Sequence, residues 1–429
     1  MTRSERIPSR RVARLHRGLL LAGLAAGCAR VAAPTYSGTV SDHFDGKRFH
    51  NYVRFRDAQI EDALRRAQRE IFGRRGSWPK WEEVVRDVPP QRVGGGALRV
   101  TFVNHATVLI QMDSLNILTD PIWSDRASPV GWYGPKRHRP PGIRFEDLPP
   151  IDVVLVSHNH YDHMDVETLR RLDDAFHPRI ITGLGNAAFL ARQGIPAVQD
   201  IDWWQSTRVA RGVTISGVPA QHWSARWIND QWRTLWLGFV IEGPSGALYF
   251  AGDTGFGEFF PTIRKRFGPF RLAMLPIAPG RPRDAMAPRH MSASDAVRAY
   301  QVLGASTAMA LHFGTFQQGD DSESEPVDSL RQAIVDARPC EIRFWALRNG
   351  EARSVPALAD SIARAGCTPT AGLGGNALAD DGARGYRMPT GSLQHRHSRG
   401  PRCALTDSAV WNPAAKIRIP IPCAPTATS

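Results

Sequence analysis

"VVLVSHNHYDHMD", residues 153–165, runs an uninterrupted apolar segment straight into three histidines and two aspartates. Four consecutive Val/Leu residues bounded by polar sequence read as a strand buried on both faces. A solvent loop gains nothing from three imidazoles within six positions, so the crowding calls for a ligand. Alternation along an extended segment sends His158, His160 and Asp162 to one side, and a turn then brings His163 round. Imidazole nitrogen and carboxylate oxygen are the donor set of Zn²⁺ or another borderline divalent metal.

Three other apolar runs end in the same residue types: "VTISGVPAQHW" on His222, "GALYFAGDTG" on Asp253 and "STAMALHFGT" on His312. Loops that follow strands gather at a common edge of a sheet, which is where sites are built. Five His and two Asp from four segments are enough for two metals and too many for one, and a central carboxylate would bridge the pair. His105 in "NHAT" and Asp120 in "LTDP" also follow strand-like runs. They read either as partners that orient ligands or as turn residues. His138, between two arginines, reads as a solvated loop residue, and His395 and His397 lie in a tail.

Outward from this centre the chain is an α/β pattern. "ALRVTFV", "TVLIQM" and "NILTD" read as an antiparallel meander, and the long loop "VGWYGPKRHRPPGIRFEDLPP" leads to the central strand. Strand-like and helix-like stretches then alternate as far as "EIRFWAL", as expected for two packed sheets with helices outside. The domain is placed at residues 95–366, with an N-terminal extension at 29–94 that includes a helical pattern at 58–72. Residues 367–429 lack periodicity and read as a disordered tail. Among the tryptophans of "HWSARWINDQWRTLW", Trp236 reads as the packed start of a strand. Trp223, Trp227 and Trp232 fit either packing or the lining of an apolar channel.

The formal charge of +13 sits mainly at the ends: residues 1–27 hold six Arg and one Glu, and residues 371–429 hold seven Lys/Arg and three Asp. The body is only mildly basic, which argues against nucleic acid as a partner. "MTRSERIPSRRVARLHR" followed by "GLLLAGLAAG" reads as a signal segment, residues 1–28, too short in its apolar part to span a bilayer. "LAAGC" is similar to a bacterial lipobox and marks Cys28 for lipidation, which addresses the protein to the periplasmic side of the inner or outer membrane. No cysteine belongs to a CxxC pair, so thiolate ligation of zinc is not expected, and no disulfide pairing is singled out among Cys340, Cys367, Cys403 and Cys423.

These residues carry a family resemblance. "HNHYDH" is the HxHxDH signature of the metallo-β-lactamase superfamily. "NHATVLIQ", "ILTDPIWSDRASP", "GPKRHRPP", "DWW", "VPAQHWSAR", "LWLGFVIE", "YFAGDTGF", "HMSASDAV" and "LHFGTF" resemble, in order, the N-acylphosphatidylethanolamine-hydrolysing phospholipase D family and its bacterial relatives. The resemblance implies a four-layer αβ/βα sandwich with two Zn²⁺ at one edge. It implies that His158, His160 and His222 hold one ion, that Asp162, His163 and His312 hold the other, and that Asp253 bridges them. It also places His290, in "RHMSASDAV", beside the scissile phosphate, next to a helix start at Ser292 whose N–H groups would suit an anion. The chain departs from the family at "PIAPGRPR", residues 276–283, where members resemble "PIGAYEPR".

The expectation is therefore an exported, lipid-anchored hydrolase. It would use a metal-bridged hydroxide on a phosphodiester, with N-acylphosphatidylethanolamine-like phospholipids as the substrate class and Asp253 and His290 as its catalytic residues. A rival reading is lactone or amide (β-lactam-type) hydrolysis, which the same chemistry serves. A third is a non-catalytic metal-binding envelope lipoprotein. His/Asp sites accept Mn or Fe as well as Zn, so the residue types leave the metal open, and the oligomeric state too is open.

Overall fold

The strand Val153–Val156 is apolar throughout because both its faces are covered: Val153 and Leu155 enter one buried cluster, Val154 and Val156 another. The computed structural model describes residues 32–54, 75–210, 212–337 and 341–358. It also gives the backbone of a strand pair within residues 371–429. Residues 1–28, read from sequence as a signal segment with Cys28, and the helical pattern at 58–72, Cys340, Cys367, Cys403, Cys423, His395 and His397 lie outside the described residues.

The first sheet contains β1 (Leu98–Asn104), β2 (Thr107–Met112), β3 (Leu115–Thr119), β4 (Val153–Val156), β5 (Arg179–Gly183) and β6 (Val198–Ile201), in that order, with β14 (Ala352–Ser354) beside β1. The second contains β7 (Ser206–Ala210), β8 (Val213–Val218), β9 (Gly238–Gly243), β10 (Gly246–Phe250), β11 (Phe270–Pro276), β12 (Ala308–Leu311) and β13 (Phe344–Trp345), again in order. Between the sheets lie Val100, Phe102, Val108, Ile110 and Leu155 from one side and Ile215, Ile241, Leu248 and Met274 from the other.

The outer face of the first sheet, with Leu109, Leu118, Val154 and Ile180, is covered by helices α1 (Val166–Phe176) and α2 (Asn186–Arg192) through Leu169, Leu172, Phe189 and Leu190. On the second sheet α5 (Ala293–Leu303) packs on β11, flanked by α3 (Phe259–Phe267) and α6 (Glu325–Asp336). A one-turn α4 spans Arg283–Met286. This is the four-layer αβ/βα arrangement.

Strand direction decides where the loops go. β1 and β2 are antiparallel, as are β2 and β3, whereas β3 and β4 are parallel, so β1, β3 and β4 all end at one edge. By the same reasoning β8, β10 and β12 end together. The segments after these six strands hold every donor named from sequence. Where the sheets meet there, the His312 amide donates to the His105 carbonyl at 2.8 Å.

Three features differ from the sequence reading. Trp236 precedes its strand by two residues, because the Leu235 and Leu237 amides donate instead to the Leu184 and Ser157 carbonyls of the first sheet. "EIRFWAL" pairs only over Phe344–Trp345. In the N-terminal extension Phe44 and Phe49 enter the main core, so residue 95 marks where regular strands begin rather than where packing begins. Residues 371–429 form a separate unit with an antiparallel pair, β15 (Ala409–Asn412) and β16 (Ile417–Pro420). Among the described residues no helix is long and apolar enough to cross a membrane.

Candidate metal centre

Two groups of donors face each other at the shared edge. In the first, His158 Nε2 lies 2.8 Å from His160 Nδ1, which lies 3.2 Å from His222 Nε2. In the second, Asp162 Oδ2 lies 3.1 Å from His163 Nε2, 3.3 Å from His312 Nε2 and 2.9 Å from His105 Nε2. Asp253 stands between them: its Oδ2 is 3.0 Å from His312 Nε2, 3.3 Å from His163 Nε2 and 3.7 Å from His222 Nε2. Its approach needs glycine at position 252, where φ is +58° and a Cβ would fall 2.5 Å from the Ser157 Cβ. Sequence alone names all seven residues, and the fold gathers them.

The arrangement fits divalent cations. A tetrahedral ion with bonds of about 2.0–2.1 Å to nitrogen keeps its ligand atoms about 3.4 Å apart, close to the spacings seen. His160 Nε2, His163 Nε2, His312 Nε2, His290 Nδ1 and Asp253 Oδ1 are buried with no hydrogen-bond partner among the described residues. Proteins leave few such atoms, and here five belong to the residues grouped around this one centre. Charge makes the same point. Burial opposes ionisation of Asp162 and Asp253, yet the neighbouring imidazoles hold both carboxyls well below their ordinary range. Burial pushes His160 and His222 down to about 3, and His158 well below its usual value. In His163 and His312 the carboxylates, led by Asp253, outweigh burial, raising His312 to about 9 and His163 well above its usual value. Positive charge therefore belongs between the two carboxylates, whether as protons on two imidazoles or as cations.

The distal atoms of the donors are held. Asp120 Oδ2 lies 2.7 Å from His163 Nδ1 and accepts from Ser157 Oγ at 2.7 Å, while its Oδ1 accepts from the Ser157 amide. The Ser157 hydroxyl in turn lies 2.9 Å from His158 Nδ1. His222 Nδ1 donates to the Arg289 carbonyl at 2.9 Å. Asp120 and His105 thus contact donor side chains directly, which the turn reading of these two residues does not call for. Both have left-handed backbone, φ 33° and 47°, as does His312 at 63°.

Sequence reading missed Ser157 and Gln318, whose Nε2 donates to Asp162 Oδ2 at 2.8 Å. It also missed Arg226, whose guanidinium binds the Asn159 and Met164 carbonyls on either side of the ligand loop. Ser157 adjoins the histidine motif; the other two carry no signal in spacing.

His290 Nδ1 is 3.8 Å from Asp253 Oδ2 at the wall of the same cavity, and burial lowers its pKa well below the ordinary imidazole value. The helix start beside it is not open to an anion. Ser292 and Asp295 form a capping box, and the Asp295 carboxylate, 2.6 Å from Arg283 Nη2, already occupies that end. His138 is partly buried: its ring is held by the Pro79 carbonyl and packs on Trp78. Trp223 and Trp227 line the cavity, whereas Trp236 is core, with Trp232 between Trp223 and Trp236.

Comparison with known proteins agrees with this geometry. Residues 115–313 match the Beta-lactamase superfamily domain. The chain is 37% identical over 253 residues to N-acyl-phosphatidylethanolamine-hydrolyzing phospholipase D 1 of Caenorhabditis elegans, covering 56% of this chain and 70% of that one.

The chain belongs to the metallo-β-lactamase superfamily.

Within that superfamily it stands close to the N-acylphosphatidylethanolamine-hydrolysing phospholipases D and to metal-dependent hydrolases. One of the latter, from Methanopyrus kandleri, is 29% identical over 260 residues, covering 59% of this chain and 98% of that one. The metallo hydrolase Igni18 of Ignicoccus hospitalis has a similar structure, with a TM-score of 0.46 at 20% identity over 61% of this chain and 99% of that one. The chain spans between 50% and 70% of the length of the curated phospholipase D relatives. The superfamily assignment accounts for the two-sheet architecture and for the placement of the donors at its edge.

Proposed function

We propose that this metallo-β-lactamase-fold hydrolase is a binuclear zinc phosphodiesterase of phospholipase D type, acting on N-acylphosphatidylethanolamine-like phospholipids at a bacterial envelope membrane. One observation carries the choice of substrate. Four of the donors, His160, Asp162, Asp253 and His312, line a cavity of about 980 Å³ whose wall combines Arg126, Lys136 and Arg289 with Trp132, Trp223, Trp227, Ile228 and Met286. Cationic groups beside aromatic ones suit an anion carrying hydrocarbon better than a neutral amide or lactone.

His158, His160 and His222 would hold one ion, Asp162, His163 and His312 the other, and Asp253 both. Bound divalent ions supply polarisation of the phosphoryl oxygens and a nucleophile drawn from water at neutral pH. The chain's own contribution is orientation and hydrogen bonding. Asp253, held as an anion, would orient the water through Oδ1, which has no other partner among the described residues. His290 Nδ1, equally without a partner, is placed to donate a hydrogen bond to the phosphoryl group or its leaving oxygen.

Export and lipidation at Cys28 rest on the basic, apolar and Cys order of residues 1–28, and they would set the site against its substrate. Lactone or amide hydrolysis is the second reading, kept because the loop at 276–283 departs from the phospholipase D pattern. Pro279 forms part of the cavity wall where the family pattern carries other residues, and the Gly280 and Arg281 amides are fixed by Asp321.

The deciding experiment measures metal content and turnover of a soluble bis-aryl phosphodiester on the same sample, with and without chelator. Two metals per chain and chelator-sensitive turnover support the proposal. Two metals with turnover only on lactones or lactams move the assignment to the second reading.

A further inference from the structure

The first three donors do not share one kind of support. His158 and His160 follow β4 directly, and β4 is flanked by β3 and β5. His222 lies four residues beyond the end of β8, after the chain has left its sheet. On one side its segment is tied to the stretch after β10 by the Gln221–Gly255 bridge and by the Gln221 amide, which donates to Thr254 Oγ1 at 2.9 Å. On the other side a side chain from the far N-terminus stands where a neighbouring strand would be.

Asn51 is buried, and its Nδ2 donates to the His222 carbonyl at 2.8 Å while its Oδ1 accepts from the His222 amide at 3.1 Å. That two-way exchange is what a paired residue makes in an antiparallel ladder. Oδ1 also accepts from Trp236 Nε1 at 2.9 Å. Two donors converge on one end of the amide and a carbonyl faces the other, so the amide has only one satisfactory orientation. The His222 ring is then turned by the Arg289 carbonyl at its Nδ1, which leaves Nε2 aimed at His160.

Asn51 itself is not adrift. Phe44 and Phe49 are buried with ring centroids 4.6 Å apart, the Phe49 amide donates to the Trp232 carbonyl, and the Val53 carbonyl accepts from Gln221 Nε2.

From this juxtaposition we infer that Asn51 is a positioning residue of the metal centre: it fixes the backbone of His222, and through it the ion shared with His158 and His160. The inference rests on the metal-holding roles proposed above, but its test reads metal binding and not turnover. Residues 43–53 are thereby part of the site and not an appendage to it.

The experiment compares full-length wild type with Asn51→Ala, Asn51→Asp and Leu330→Val, each loaded with Co²⁺. Metal per chain, the visible Co²⁺ spectrum and the rate of metal loss to chelator are recorded, with thermal unfolding of the metal-free forms alongside. Asp keeps both accepted bonds but sets a carboxylate against the His222 carbonyl. Leu330→Val trims the buried core at α6, outside the segment that carries Asn51, and controls for general destabilisation. The expected result is that both Asn51 variants lose one of two ions at least about tenfold faster, the usual effect of removing a ligand's support, with an altered spectrum. Leu330→Val should keep wild-type metal retention. Wild-type retention and spectrum in Asn51→Asp would overturn the inference, and so would equal metal loss in Leu330→Val. If Asn51→Ala does not fold, Asn51→Asp alone decides. Wild-type protein that takes up no Co²⁺ would refute the metal roles themselves, a result distinct from either.

Discussion

The His163 Nδ1 sits 2.7 Å from the Asp120 carboxylate, both groups fully buried, with the Ser157 amide and hydroxyl on the same carboxylate. A buried carboxylate there fixes the proton on Nδ1 and turns Nε2 toward Asp162 and Asp253. Asp120→Asn would set an amide N–H₂ or a weaker acceptor against that ring and leave its tautomer unfixed. Metal affinity should fall about 10–100-fold, with the fold retained. Competition titration with a chromogenic chelator, alongside circular dichroism, measures both quantities. Unchanged affinity would mean that Asp120 serves the loop and not the ligand.

Asp253 faces both donor groups through one oxygen, Oδ2, and leaves Oδ1 unpartnered among the described residues. Asp253→Asn keeps the volume and removes the charge. Hydrolysis should drop by about 10²-fold or more, because losing the anion misplaces the water and weakens the hold on both ions, while the structure persists. Single-turnover rates on a soluble phosphodiester check this, and retained activity would refute its role.

What is legible in the sequence follows from how each residue acts. The seven donors belong to segments that each follow an apolar run, so strand patterning by itself points to them. Asn51, Ser157 and Arg226 act through hydrogen bonds to backbone groups or to another side chain's far atom. Asn51 meets His222 across 171 positions, a distance at which no local pattern can pair them. The helix after Ser292 looks open to an anion in the sequence, but Asp295, three residues on, both caps it and neutralises it. The late start of β9 has a similar cause: Leu235 and Leu237 look like strand residues but spend their amides on the opposite sheet.

The N-terminal segment carries its own pH dependence. His43 is stacked on Trp203 at 4.4 Å, and its two ring nitrogens lie 2.5 Å from Asp42 and 2.7 Å from Asp202. Burial works against its protonation, but Asp202 and Asp42 outweigh it and raise the pKa above 6.5. A histidine raised on folding contributes stability in full below its unfolded value, and that contribution fades as pH rises through the folded one. Wild type should therefore exceed His43→Gln in Tm by more at about pH 5.5 than at about pH 9. Differential scanning calorimetry at the two pH values tests it; a constant gap would remove the ion pairs from the account.

The cavity mouth bears on the form in which substrate arrives. Trp132 and Ile228, on separate loops that both line the cavity, are 80% and 81% exposed. Large apolar side chains left in water beside a cationic cavity suit contact with a phospholipid surface, where each could bury apolar area worth about 1.5–3 kcal/mol. Both stand largely in water at the edge of that wall, so a soluble phosphodiester should sense their loss far less than a lipid surface does. The double variant Trp132→Ser, Ile228→Ser should keep soluble turnover and lose at least about tenfold in rate on phospholipid vesicles at limiting lipid. Parallel assays on the two substrates separate the cases. An equal loss on both would place these side chains in the folding of the cavity wall, and no loss on either would leave the membrane to be met elsewhere on the molecule.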